Sequence, residues 1–221
     1  MVRDRFMGPR VSSAMRSTPC ILASLLSGLL WFGLFDGKAR ACADDSTGLA
    51  RQIVLRAREE VTRGVAYDSS YLSLAYPGGD VAASRGVCTD VVVRALRNAG
   101  LDLQRLIHED ILRRPGAYAR AVKRPDASID HRRATPQLIY FEAHARRLPR
   151  DVLSTESRQS FAPGDVIIWS LKNDGQAEHV GIVSDRQGPR GLPLVIHNIG
   201  PHPTEEDVLD AWQILGHYRA V

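Results

Sequence analysis

The chain has 221 residues, 44% apolar and 24% charged, with a formal charge of +4 at pH 7. That length suits one domain of ordinary size plus a leader. Six of the 29 basic residues and two of the 25 acidic ones lie in residues 1–43, leaving 23 of each beyond them. A balanced chain lacks the concentrated positive face that phosphate binding needs, which argues against nucleic acid as a partner.

The first 43 residues read as a secretory signal peptide. Arg3, Arg5, Arg10 and Arg16 precede the apolar run "CILASLLSGLLWFGLF", and the small-residue triplets Ala39-Arg40-Ala41 and Ala41-Cys42-Ala43 follow it. A membrane span needs roughly 20 apolar residues, more than this run supplies. The expectation is cleavage near Ala41 or Ala43, a single domain over 44–221 that keeps no membrane span, and export to the bacterial periplasm. Cys20 and Cys42 leave with the leader, so Cys88 stands without an intrachain disulfide partner in an oxidising compartment.

Along the mature chain, "STGLARQIVLRAREEVTRG" (46–64) carries Leu49, Ile53, Val54, Ala57 and Val61 on one helical stripe. A structured loop follows, punctuated by Tyr67, Tyr71 and Tyr76, whose large rings require surfaces to lie on. "GVCTDVVVRALRNAG" (86–100) then predicts a helix that opens at Cys88 and stops at Gly100 in the C′ position. Leu103, Leu106, Ile107 and Ile111 mark another helix over 102–114, and "PGAYARAVKRPDASIDHRRA" (115–134) has no period and reads as an ordered excursion. Thr135 as cap and Pro136 as first-turn residue open a further helix over 135–148. From residue 161 four short Val/Ile-rich segments, "FAPGDVIIWSL", "EHVGIVSDR", "LPLVIHNIG" and "QILGHYRAV", predict consecutive antiparallel strands. Helices first and strands second make an α+β domain.

A cysteine at a helix N-terminus faces unpaired N–H groups and the positive end of the dipole, which favour thiolate. As a nucleophile it also needs a base and a group that orients the base. His179 opens one strand and His197 with Asn198 closes the next. If the two strands are antiparallel neighbours, both histidines meet at one edge of the sheet, within reach of Cys88. The plain alternative is a buried small apolar cysteine beside satisfied core histidines.

At these residues "PGDVIIW", "HVGIVSD" and "VIHNIG" resemble the sheet half of the NlpC/P60 branch of papain-like cysteine peptidases. With "YPGGDV", "GVCTDVVVRALR", "LDLQRLIHED", "RPDASIDHRR" and "GHYR" they are more closely similar to the DUF1287 family of exported bacterial proteins, over about Tyr67 to Arg219. The resemblance implies a papain-like NlpC/P60-type fold, a helical layer packed on a small antiparallel β-sheet. It also implies Cys88 as nucleophile, His179 as base and His197 as orienting residue, with Asn198 the alternative third member. Val87 and Thr89-Asp90 flank Cys88 where NlpC/P60 enzymes usually show Asp-Cys and then small residues, and Asp90 disfavours a thiolate beside it. The implied activity is an exported cysteine hydrolase that needs no cofactor and cleaves amide bonds, its substrate peptidoglycan stem peptides or a related peptide. A wall-peptide binding module without turnover and a Cys-His acyltransferase are the alternatives.

Tyr76, Asp90, Asp130, His131 and Arg132 are the candidate substrate contacts, Arg132 or Arg133 as a two-pronged partner for a carboxylate. Asp126, Asp130 and His131, with His108 or Asp110, raise the question of a metal. Their spacing matches no metal signature, so a salt-bridged loop is the expectation.

Overall fold

The computed structural model describes residues 35–220, with side chains from residue 47 onward. The signal peptide expected over 1–43 lies outside the described residues, apart from the backbone of 35–43. That backbone belongs to the first helix, α1 (Phe35–Arg63), which therefore begins well before residue 46.

After α1 the chain runs through β1 (Ala66–Tyr67) and β2 (Arg85–Gly86), which pair in parallel across the tyrosine loop. Three helices follow: α2 (Cys88–Asn98), α3 (Leu103–Arg113) and the single turn α4 (Pro115–Tyr118). The excursion contains that turn and a 3-10 turn over Asp130–Arg132. Next come α5 (Ala134–His144), β3 (Arg146–Arg147), α6 (Thr155–Ser160), β4 (Val166–Ser170), β5 (His179–Gln187), β6 (Pro193–His197), β7 (Thr204–Glu206) and β8 (Gln213–Arg219). The last six strands form one sheet in the order β3-β8-β4-β5-β6-β7, antiparallel throughout. The domain is thus mixed α and β, helices followed by an antiparallel sheet.

Strand alternation divides the core between two faces. Val166, Ile168, Val180, Ile182 and Ile196 face the helices, where they pack with Ile53, Val54 and Ala57 of α1 and with Val92 and Leu96 of α2. Ile167, Trp169, Val183 and Val195 face the other way and meet Phe161 and Leu209. Each fully buried aliphatic side chain contributes about 1.5–3 kcal/mol, so β4, β5 and β6, apolar on both faces, anchor the sheet.

Local chemistry sets the ends of α2. Its first turn is tied down by Asp90, whose carboxylate accepts the Val87 N–H at 2.8 Å. Its last turn closes with Gly100 N–H on Arg97 O and Leu101 N–H on Leu96 O, and Gly100 takes φ +88°, as the C′ position requires. The opening of α5 differs from expectation. Arg133 is the flanking residue and Thr135 lies inside the first turn, because its hydroxyl donates instead to Ala177 O at 3.2 Å. Pro136 remains in that turn, where a missing N–H costs little. Among the described residues no helix is long and apolar enough to cross a membrane.

Candidate active site at the N-terminus of α2

Antiparallel pairing of β5 with β6 places Gly181 opposite His197, and pairing of β5 with β4 places His179 opposite Trp169. These side chains therefore share one face at the rim of the sheet. The imidazoles meet there, His179 Nε2 lying 2.7 Å from His197 Nδ1. Gly181 makes the approach possible. A Cβ at that position would lie 2.7 Å from Val195 Cγ1 and 3.2 Å from His197 Cβ, closer than side chains tolerate.

A third residue extends the series. His197 Nε2 lies 2.9 Å from Glu206 Oε1, and the Thr204 hydroxyl donates to the same oxygen at 2.9 Å. A carboxylate only accepts, so His197 carries its proton on Nε2 and turns the Nδ1 lone pair to His179. His179 must then donate from Nε2, which leaves its Nδ1 as the basic atom. Among the described residues Nδ1 has no hydrogen-bond partner. Two indoles enclose the pair: Trp169 stacks on His179 at 5.6 Å between ring centroids, and Trp212 stands edge-on to His179 at 5.7 Å and to His197 at 6.2 Å.

Cys88 reaches the same rim from α2. The N–H groups of Val180, the residue after His179, of Thr89 and of Cys88 itself favour its thiolate form. The segment before it is pinned by Asn198, whose Nδ2 donates to Gly86 O at 3.2 Å while its Oδ1 accepts from Gly200 N–H. Asn198 thus holds the loop that presents Cys88, and the ring facing His179 is His197. Cys88 and His179 share no direct hydrogen bond. Reactive pairs commonly tighten only when substrate binds.

Burial controls the protonation states. Cys88 is 7% exposed, His179 2% and His197 fully covered. Loss of water pushes the Cys88 thiol up to about 11, with Asp90 adding to the rise and the three N–H groups opposing it. Burial, then the neighbouring His197, holds the His179 imidazole down to about 3. The resting site is a neutral thiol beside neutral imidazoles. Burial also lowers His197, against the pull of Glu206.

Asp90 and Arg132 occupy each other. Arg132 Nε and Nη2 lie 2.8 and 2.9 Å from the two Asp90 oxygens, with both side chains buried. The Asp90 charge beside Cys88 is thereby matched, and neither group is left to grip a ligand. Asp130 is buried and accepts the Asp126 N–H at 2.6 Å. His131 is buried with an unpartnered Nδ1. Tyr76 packs edge-on to His108 at 5.2 Å. The aromatic residue at the cleft is Tyr67, whose phenol is pushed up first by burial and then by Cys88 and Asp90. Asp110 is engaged by Tyr118 Oη at 2.7 Å and His144 Nε2 at 3.0 Å, in addition to Arg114. Among the described residues no group of three or more His, Cys, Asp or Glu side chains is placed to hold a metal.

A cavity of about 360 Å3 opens in front of Cys88, between the tyrosine loop, the start of α5 and the approach to β5. Thr89, Arg133, Thr135 and Glu178 are among its walls. The sequence reading missed Glu206 and the enclosing role of Trp169 and Trp212. The one available signal for Glu206 was an acidic pair nine residues after a strand-ending histidine, a hairpin's distance away.

Fold and site together define an α+β protein with a buried thiol at a helix N-terminus beside a hydrogen-bonded histidine pair. The chain belongs to the DUF1287 family, described as a domain of unknown function, which matches residues 54–220. It is 45% identical over 165 residues to "Uncharacterized protein YijF" of Escherichia coli (strain K12), a match covering 74% of this chain and 78% of that protein. No solved structure matches the chain.

Proposed function

We propose that this protein is an exported cysteine hydrolase of the papain-like NlpC/P60 type that cleaves amide bonds in peptidoglycan stem peptides. The observation that carries the reading is the ordered series His179–His197–Glu206, which leaves His179 Nδ1 as a base one residue from Val180, whose N–H favours the Cys88 thiolate. A structural thiol calls for no such series. The stem-peptide substrate and the periplasmic location rest on the NlpC/P60 resemblance and the leader sequence.

In the mechanism, Cys88 Sγ attacks the scissile carbonyl carbon as His179 Nδ1 takes the thiol proton. The resulting imidazolium donates from Nε2 to His197, with the Glu206 charge behind it. The oxyanion forms near the N–H groups at the start of α2, where the helix dipole favours negative charge. His179 then protonates the leaving amine, and water, deprotonated by His179, releases the acyl group and regenerates the thiol. Since the resting pair is neutral, the ion pair forms only along the reaction coordinate, when substrate excludes water from the cleft.

Digestion of purified muropeptides with the mature protein and its Cys88→Ala variant tests the reading. Product from the wild type alone is the expected outcome, and equal product from both removes the nucleophile. Binding of muropeptides by both proteins with product from neither establishes the wall-peptide binder, the alternative that a neutral resting thiol favours.

A further inference from the structure

We propose that the cleft in front of Cys88 takes a substrate carrying a free carboxylate close to the scissile amide, and that Arg133 holds it. The proposal rests on Cys88 as the nucleophile facing this cleft, and it names the charge of the ligand and the residue that selects it.

Three charged side chains line the cleft: Arg132, Arg133 and Glu178. Arg132 spends its fork on Asp90 inside the protein. Glu178 is engaged through Oε1 by Lys172 Nζ at 2.6 Å and through Oε2 by Lys172 N–H at 3.3 Å. Arg133 alone has donors to spare. Its side chain is 51% exposed, and its one ion pair is a long contact of 3.4 Å from Nη1 to Asp130 Oδ1. Asp130 is buried behind it and already accepts the Asp126 N–H, and burial raises its pKa, which weakens its claim on the guanidinium. Arg133 Nε and Nη2 make no hydrogen bond among the described residues. That pair of parallel N–H groups is the edge of a guanidinium that matches both oxygens of a carboxylate.

Position supports the assignment as strongly as charge. Arg133 immediately precedes α5, so its backbone is fixed by the helix that walls the cleft opposite Cys88. The Thr89 hydroxyl donates to Arg132 O at 2.9 Å, tying the residue before Arg133 to the residue after the nucleophile. The backbone that carries Arg133 is therefore held in register with Cys88.

Alkylation of Cys88 at pH 9 by iodoacetate and by iodoacetamide tests the proposal without relying on turnover. Both reagents form an S–CH2 bond and release iodide, and they differ only in carboxylate against carboxamide. The ratio of the iodoacetate to the iodoacetamide rate constant is expected to fall about tenfold in Arg133→Met, the effect of one charge-assisted contact. Arg133→Lys should recover part of it, and dividing by each variant's own iodoacetamide rate removes any change in the thiol itself. An unchanged ratio overturns the proposal. If neither reagent reaches Cys88, the nucleophile reading fails, and the carboxylate site is then read separately on the Cys88→Ala protein. N-acetylglycine should shift the Arg133 Nε–H resonance where the neutral N-acetylglycinamide does not, and equal shifts from the two overturn the site.

Discussion

His197 stands between a base and an acid: its Nδ1 lies 2.7 Å from His179 Nε2 and its Nε2 lies 2.9 Å from Glu206 Oε1. The carboxylate selects one tautomer for both rings. Gln at position 206 can instead donate to His197 Nε2, which moves the His197 proton to Nδ1, turns His179 Nε2 into an acceptor and places a proton on the atom that should act as base. Glu206→Gln is therefore expected to lower kcat about a hundredfold with KM little changed. The Glu206 side chain is 45% exposed, so water partly substitutes for it and the loss stays below that of a fully buried triad carboxylate. Steady-state kinetics of the variant decide the matter, and an unaltered kcat removes Glu206 from the machinery.

The reactivity of Cys88 should report its burial. With the thiol pushed up to about 11 and His179 held near 3, the free protein has no thiolate–imidazolium pair at neutral pH. Alkylation by iodoacetamide is expected to rise about tenfold per pH unit from pH 6 toward 11, with no shoulder below pH 8. A fast plateau beginning near pH 5 would show a pre-formed ion pair and contradict the neutral resting state. His179→Gln should leave the slope unchanged, since its imidazole is uncharged throughout that range.

The Asp90–Arg132 pair is a structural device set beside Cys88. Both groups are buried, so removing the guanidinium leaves an unmatched carboxylate inside the protein beside Cys88. Arg132→Met is expected to cost about 3–5 kcal/mol of unfolding free energy. The double variant Asp90→Asn/Arg132→Met should recover most of that loss, because the amide oxygen of Asn can still accept the Val87 N–H. Urea unfolding of the three proteins measures both quantities, and a loss under 1 kcal/mol in the single variant would mean that the pair is effectively solvated.

The parts of this site that the sequence announced are those with a local pattern. Cys88 precedes a helical stripe ended by Gly100. His179 and His197 cap two apolar runs whose connection is short enough to force antiparallel pairing, and that register brings the imidazoles together. What stayed hidden depends on partners far along the chain. "PTEED" has no apolar alternation, and β7 is held by its ladder to β6 and by side-chain contacts, an ion pair of Glu205 with Arg58 on one face and a hydrogen bond of Glu206 with His197 on the other. The choice between Arg132 and Arg133 was equally illegible, because it turns on Asp90, 42 residues away. Tyr67 and Tyr76 look alike in sequence, and only the pairing of β1 with β2 brings the first of them to the cleft.

Acid stability should carry the signature of His131. Burial holds this imidazole down to about 4 in the folded protein, against about 6.5 in the unfolded chain. Between those values the unfolded chain binds a proton that the folded protein refuses. The neutral ring's full contribution is present above pH 6.5, is lost as pH falls through the window, and levels off below about 4. Each pH unit in the window removes about 1.4 kcal/mol per histidine, and His179 adds a parallel loss that continues to about 3. Buried His197 is lowered too, and His131→Gln takes away the His131 share alone while leaving in place the backbone carbonyl that accepts from Gln137. Whatever the substitution costs at pH 7, the variant's unfolding free energy should fall less steeply than the wild type's between pH 6 and 4, by about 1.4 kcal/mol per pH unit. Urea titrations at pH 7, 5.5 and 4.5 measure that difference in slope, and parallel curves would show that His131 is protonated in the folded state.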